Sequence, residues 1–314
     1  MRVLLAGATG AIGRPLTSAL VRGGHEVLAL ARTPGAAATV SGLGAEPVQA
    51  DALERDGLLR ALDGRSADAV IHQLTALKAP KRTLTADDPS NVLRERGTAN
   101  LLEAAGVLGA GRFLTQSLVL GYGYRDHGDR ILTEQDPFGV RGGNVADHVI
   151  TGLLEAEGRL FAADHVAGTA LRYGVFYGPG TWFDPTPGSR TTPVPMGGGG
   201  VVPWIHVEDA ADATVAALER GRAGEAYNIV DDRPSGWGEL AAARGGRQIR
   251  LPGWALRLMV PYLGALMLDT RLRVSHDKAT RELGWNPRHQ DHRVGMNAAA
   301  TPGSSAWLGR TPPA

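Results

Sequence analysis

The stretch LAGATGAIGRP at residues 5–15 decides the fold. It grows out of the apolar run MRVLL and spaces three glycines, Gly7, Gly10 and Gly13, as G-x-x-G-x-x-G. A strand that breaks into such a loop and then opens a helix is built to hold a phosphate. The first glycine allows the tight turn, the second lets the backbone approach a pyrophosphate, and the third lets the helix pack closely on the sheet. The helix start adds free N–H groups and a partial positive charge. Thr9, Ala11 and Ile12 complete the turn, so residues 7–13 are expected to bind a dinucleotide.

Outward from this loop, short apolar runs alternate with helical patterns, which argues for βα units and a parallel sheet. Strands are expected at 2–6, 25–32, 45–51, 68–74, 112–117 and 169–176. Helices are expected at 12–24, 52–64, 92–110 and 145–163. From 177 to 203 proline and glycine dominate (YGPGTWFDPTPGSRTTPVPMGGGG), which reads as an irregular flap over a site. A strand–helix–strand follows through EAYNIVDD (225–232), then helices near 236–244, 253–260 and 275–284. The expected division is a Rossmann domain over 1–176 completed by 201–230, a substrate lobe from 177–200 and 231–295, and a disordered tail over 296–314.

Composition narrows the function. The 33 basic and 32 acidic residues leave a net charge of +1, with no block of like charge to grip a nucleic acid. The chain has no cysteine, which removes thiolate nucleophiles and Cys-ligated zinc and fits a reducing cytoplasm. The N-terminus opens directly on a strand, without a charged n-region or cleavage site, so no signal peptide is expected. The most apolar later stretch, 251–268, is interrupted by Arg257 and two prolines, so no membrane span is expected. Asp126-His127-Gly128-Asp129 and His289-Gln290-Asp291-His292 read as solvated loops, and no metal site is expected. No G-x-S-x-G elbow or P-loop lysine occurs.

Six segments, taken in order, resemble the extended and atypical short-chain dehydrogenase/reductase superfamily, in its NAD-dependent epimerase/dehydratase branch. They are GATGAIGR, DAVIHQLTAL, RERGTANLLEAA, LRYGVFYGPGT, WIHVEDAADATVAALE with AYNIVDD, and KATRELGWNP. The resemblance spans roughly residues 1–295. It implies an α/β, Rossmann-type doubly wound parallel sheet of seven strands with a small C-terminal substrate lobe. By position, Asp51 and Ala52 resemble the pair that contacts adenine, and Leu74, Thr75 and Ala76 the segment beside the cofactor ribose. Tyr177 and Trp182, in the loop after strand 6, are expected to line the substrate pocket. His206 and Asp209 are read as anchors of a strand–helix corner, and Arg94 stands where many relatives have the Asn of N-x-x-G-T.

Strand 2 ends LALARTP, so Arg32 occupies the place of the acid that binds the ribose hydroxyls of NAD. An arginine pairs instead with the 2′-phosphate of NADP, with Arg14 adding to the field. NADP(H) is therefore the expected cofactor, with NAD(H) the alternative. Active relatives place a Ser or Thr at the end of strand 5 and a Tyr-x-x-x-Lys pair on the next helix. Ser117 fits the first position. No Tyr or Lys occurs anywhere in GGNVADHVITGLLEAEGRL (142–160), and the expected window, 145–153, holds Val145, Asp147, His148, Val149 and Thr151. Losing the proton donor removes a factor of roughly 10²–10⁴ in rate from ketone reduction.

Three readings stay open. Tyr122, Tyr124 or His148 substitutes as the acid; the reaction needs no strong acid; or the protein binds nucleotide without turnover, as a regulator or scaffold. The favoured function is an NAD(P)-dependent oxidoreductase, epimerase or dehydratase of specialised biosynthesis. It would act in the cytoplasm on a small hydroxylated or carbonyl metabolite, as a homodimer, without nucleic-acid or membrane partners.

Overall fold

The computed structural model describes residues 1–76, 84–185, 191–245 and 247–299. Seven parallel strands form its centre. They are β1 (Arg2–Ala6), β2 (Glu26–Leu30), β3 (Glu46–Val48), β4 (Ala69–His72), β5 (Arg112–Leu118), β6 (Ala167–Tyr173) and β7 (Glu225–Ile229), in the order 3-2-1-4-5-6-7. The order reverses between β1 and β4, and ligands of open α/β sheets bind in the crevice beyond the strand ends at such a point. The expected Rossmann-type doubly wound sheet is the observed one.

Both sheet faces are covered, which is why the strands read as continuous apolar runs rather than alternating ones. Along β1, Val3 and Leu5 enter one core layer and Leu4 and Ala6 the other. The first layer lies under α1 (Gly13–Arg22) and a later helix, Val207–Arg220. The second lies under α2 (Arg55–Leu62) and α3, a continuous helical run over 89–108 whose segment Leu93–Gly97 is wound as a π-turn. The helix after β5, α4, spans Asp147–Ala162.

A third cluster joins α4 and the loop after β5 to Tyr177, Phe183, Trp204, Trp237 and the segment 263–274. The C-terminal lobe is thus packed onto the end of the sheet by aromatic residues; Trp204 and Trp237 meet edge to face at 4.9 Å.

Several expectations change. Strand 6 splits at Gly174, where an added Cβ would meet the Trp204 carbonyl group at 2.9 Å. Its second half, Val175–Tyr177, leaves the main sheet and pairs with Trp204–His206. Asp126–Asp129, read as loop, lies in a strand, Asp126–Leu132, that runs parallel to Arg271–Val274. The flap is partly tied down: Thr192–Pro195 pairs with Gln248–Leu251 and Val201–Val202 with Ser235–Gly236. Residues 186–190 and 300–314 lie outside the described ones. The expected tail does not begin at 296, because His292–Ala299 is helical and Met296 is buried. No described helix is long and apolar enough to cross a membrane.

Candidate active site

The glycine loop is built by close approach. Gly7 sits at φ +102°, and a Cβ there would come within 2.8 Å of the Gln73 carbonyl carbon. The loop therefore rests directly on the chain leaving β4, at the reversal of strand order. A Cβ on Gly13 would lie 2.0 Å from the Gly7 oxygen. The amide of Gly10 donates to that same oxygen at 3.0 Å. No acidic residue occupies the first turn of α1, and no side chain caps it. The Arg14 amide donates to the Gly10 carbonyl at 3.2 Å and Pro15 has no N–H, so the unopposed helix dipole and the glycine-loop backbone ahead of Arg14 are what favour an anion there. These residues fit the pyrophosphate of a dinucleotide.

Beyond the ends of β2 and β3, the Arg32 guanidinium lies 3.6 Å from the Asp51 carboxylate, with the arginine side chain 68% exposed. Asp51 also accepts from the amide of Leu53, and Asn100 donates to the Ala52 carbonyl, which fixes the turn after β3. Arg14 donates to the Thr9 carbonyl from the first turn of α1. Along the segment leaving β4, the Leu74 amide donates to His72 Nδ1 at 3.2 Å and the Ala76 amide to Ser90 Oγ at 3.1 Å. Thr75, between them, is exposed. His72 is fully buried, and desolvation pulls its pKa down to about 4. The ring is therefore neutral, donating from Nε2 to the Leu93 carbonyl.

The chemical end holds both agreements and corrections. Ser117 is buried at the end of β5 opposite Arg172, and its Oγ has no partner among the described residues. Val149 and Leu153 of α4 are buried among apolar neighbours. Tyr122 does not join Ser117. Its hydroxyl donates to Asn228 and accepts from Arg172, which is itself forked onto Glu157 at 3.0 and 2.7 Å. This buried network uses up the phenol, and burial raises its pKa. His148 is exposed, only its backbone carbonyl is engaged (by Asn91), and the expectation of an acid there finds no support.

The loop after strand 6 divides similarly. Gly180 approaches Ala11 of the glycine loop, its Cβ position 4.0 Å from the Ala11 Cα. Trp182 is partly buried with an indole N–H unpartnered among the described residues. Tyr177 instead turns inward: it is fully buried, meets the His206 ring edge-on, and donates to the Asp291 carbonyl at 3.2 Å. Packing at the corner, rather than lining a pocket, is its place.

That corner is anchored by Asp209, which accepts from His289 and Arg288 while its carbonyl accepts from the Trp285 indole. His206 caps the helix Val207–Arg220, and burial lowers its pKa to about 3. His289 and His292 are thus packed rather than solvated; His292 meets Ser235 Oγ. Ligand-capable atoms of His206, Glu208 and His289 gather within 4.8 Å, a grouping that spacing along the chain does not announce.

Sequence reasoning left one residue without a task. Arg94, in the π-turn of α3, is 1% exposed, and burial lowers its pKa. Its Nη1 donates to Asn91 Oδ1, while Nε and Nη2 have no partner among the described residues. Gly152 of α4 makes the room: a Cβ there would sit 3.2 Å from Arg94 Cδ.

Residues 3–230 match the model of the NAD dependent epimerase/dehydratase family. The chain belongs to that family. This epimerase/dehydratase-family enzyme is an NAD-dependent oxidoreductase in type, and its named relatives agree. One is a 3-diazoavenalumate denitrifying reductase from a Streptomyces species, 36% identical over 94% of this chain and 99% of the relative. A second is a 4-hydroxy-2-methyl-3-oxo-4-farnesyl-3,4-dihydroquinoline-1-oxide ketoreductase from Stigmatella aurantiaca, 26% identical over 95% of each. Among solved structures, dTDP-glucose 4,6-dehydratase from Streptomyces venezuelae, with NAD and TYD bound, shares the fold at a TM-score of 0.73. It is 22% identical and covers 95% of this chain and 96% of its own.

Proposed function

We propose that this enzyme is an NADPH-dependent reductase whose substrate gives up a leaving group on reduction, as a diazo carbon does, instead of forming an alkoxide. The observation that carries this reading is α4. Within the window 145–153, where the resemblance expects a phenol and an ammonium, neither occurs, and Val149 and Leu153 are packed in apolar core. Ketone reduction needs a proton donor at the nascent alkoxide. A diazonium carbon needs none: hydride in, dinitrogen out, Ar–N₂⁺ becoming Ar–H. The denitrifying reductase activity for which the Streptomyces relative is named points the same way.

Bound reduced nicotinamide would supply the hydride. The chain does the positioning. Residues 7–13 and the start of α1 hold the pyrophosphate, and Leu74, Thr75 and Ala76 flank the ribose. Arg32, steadied by Asp51, and Arg14 take the 2′-phosphate, which favours NADPH. Ser117 Oγ orients the substrate and Trp182 closes the pocket; both the hydroxyl and the indole N–H are buried without a partner among the described residues. The absence of cysteine fits work in the cytoplasm, and a homodimer belongs to the same reading.

The test is turnover of a stable aryl diazonium salt with NADPH deuterated at C4, against a heat-denatured blank. The reading expects enzyme-dependent loss of NADPH, release of dinitrogen and one deuterium on the carbon that lost nitrogen. Turnover of simple ketones alone would overturn it.

A further inference from the structure

Resting on the reductase reading above, we infer that Arg94 is the substrate's anion clamp and that the substrate carries a carboxylate. Three observations converge. First, the free donors are the right two. In a guanidinium, Nε–H and one Nη form a side-on fork that matches two carboxylate oxygens, and Arg94 leaves Nε and Nη2 unpartnered among the described residues while spending Nη1 on Asn91. The same chain shows what that edge does when filled: Arg172 grips Glu157 through Nε and Nη2 at 3.0 and 2.7 Å.

Second, the cation is buried, 1% exposed. A desolvated charge with open donors is expensive, and an isolated structural role would be served as well by an apolar side chain. Third, aromatic hydroxyls gather beside it. Tyr124, from the loop after β5, and Tyr262, from the C-terminal lobe, act electrostatically on Arg94, as does the Asp88 carboxylate. Those two hydroxyls meet at 3.1 Å across the junction, and Tyr262 is the partly exposed member of the pair. Two phenol rings beside a fork donor suit an aromatic carboxylate. The room comes from Gly152, since any side chain there would collide with Asn91 and the Arg94 stem.

The experiment uses the full chain loaded with NADPH and titrates 4-hydroxycinnamate and, separately, its primary amide by calorimetry. The carboxylate is expected to bind at least tenfold more tightly than the amide. R94M is expected to erase that preference while leaving NADPH binding intact, and R94K to recover only part of it, because an ammonium lacks the fork. Equal affinity for the two probes in the native protein, or an R94M enzyme that keeps the preference, overturns the clamp. If R94M does not fold, the native comparison and R94K decide alone. Absence of NADPH binding by the native chain would sink the reductase reading itself, a distinct outcome.

Discussion

Replacing Gly13 by Ala tests how the dinucleotide cradle is held together. The added methyl carbon would stand 2.0 Å from the Gly7 oxygen and 2.7 Å from the Ala8 carbonyl carbon, both backbone atoms. Neither can swing aside as a flexible side chain would, so the loop and the start of α1 must separate by more than an ångström. Overpacking of this kind costs about 1–3 kcal/mol. Separation also strains the Gly10 amide bond to the Gly7 oxygen, worth about 1 kcal/mol. Against this, alanine is favoured over glycine in a helix by about 0.5–1 kcal/mol. The expected net loss is about 1–3 kcal/mol, read from urea midpoints. Affinity for NADPH should fall further than stability, because moving the loop misaims amides whose charge-assisted bonds are worth about 1.5–3 kcal/mol each, or roughly 10–150-fold. Gly106→Ala is the control: that helical glycine has nothing within 4 Å of its Cβ position, and the substitution should stabilise slightly without touching affinity. A Gly13→Ala protein with native stability and native NADPH affinity, by fluorescence titration, refutes the argument.

Other expectations concern separate parts of the molecule. Arg32→Ser should lower the preference for NADPH over NADH about tenfold, with NADH affinity nearly unchanged; equal losses for both would remove the arginine from the 2′-phosphate. Glu157→Ala strands the Arg172 cation in the core and should cost about 3–5 kcal/mol in chemical denaturation. His72 titrates near 6.5 when unfolded but at about 4 when folded, so the unfolded chain binds the extra proton first. Stability from this group is complete above pH 6.5 and drains away as the pH falls to about 4, a change of roughly 3 kcal/mol at 1.36 kcal/mol per pH unit. His72→Gln should flatten that part of the profile, measured by midpoints at pH 7.5 and 5. Ser117→Ala should lower kcat with little change in NADPH affinity; unaltered turnover would discharge the serine from the site.

The sheet was legible because its signals are local. Gly7, Gly10 and Gly13 state their backbone requirement in place, and strands buried on both faces announce themselves as apolar runs. What stayed hidden depends on partners far along the chain. Asp126–Leu132 looks like a polar loop until Arg271–Val274 lies beside it. Tyr177 reads as a pocket residue until the Asp291 carbonyl, 114 positions on, claims its hydroxyl. Tyr122 reads as a substitute acid until Asn228 and Arg172, far along the chain, claim its hydroxyl for a structural role. Arg94 carried a signal, an arginine in place of asparagine, but its meaning needed Gly152 and the winding of its own turn.

The pairing of Asp126–Leu132 with Arg271–Val274 has a consequence for biogenesis. The earlier strand emerges from the ribosome long before its mate, and during that interval its edge is unsheltered and ready to zip onto a neighbouring nascent copy. A chain cut after β7 keeps all seven sheet strands yet loses the segment that shields this edge, together with Ala279, Leu283 and Trp285 of the first core layer. Such a fragment should clump during expression, and the last tenth of the described chain is therefore a guard against self-association as much as a part of the core.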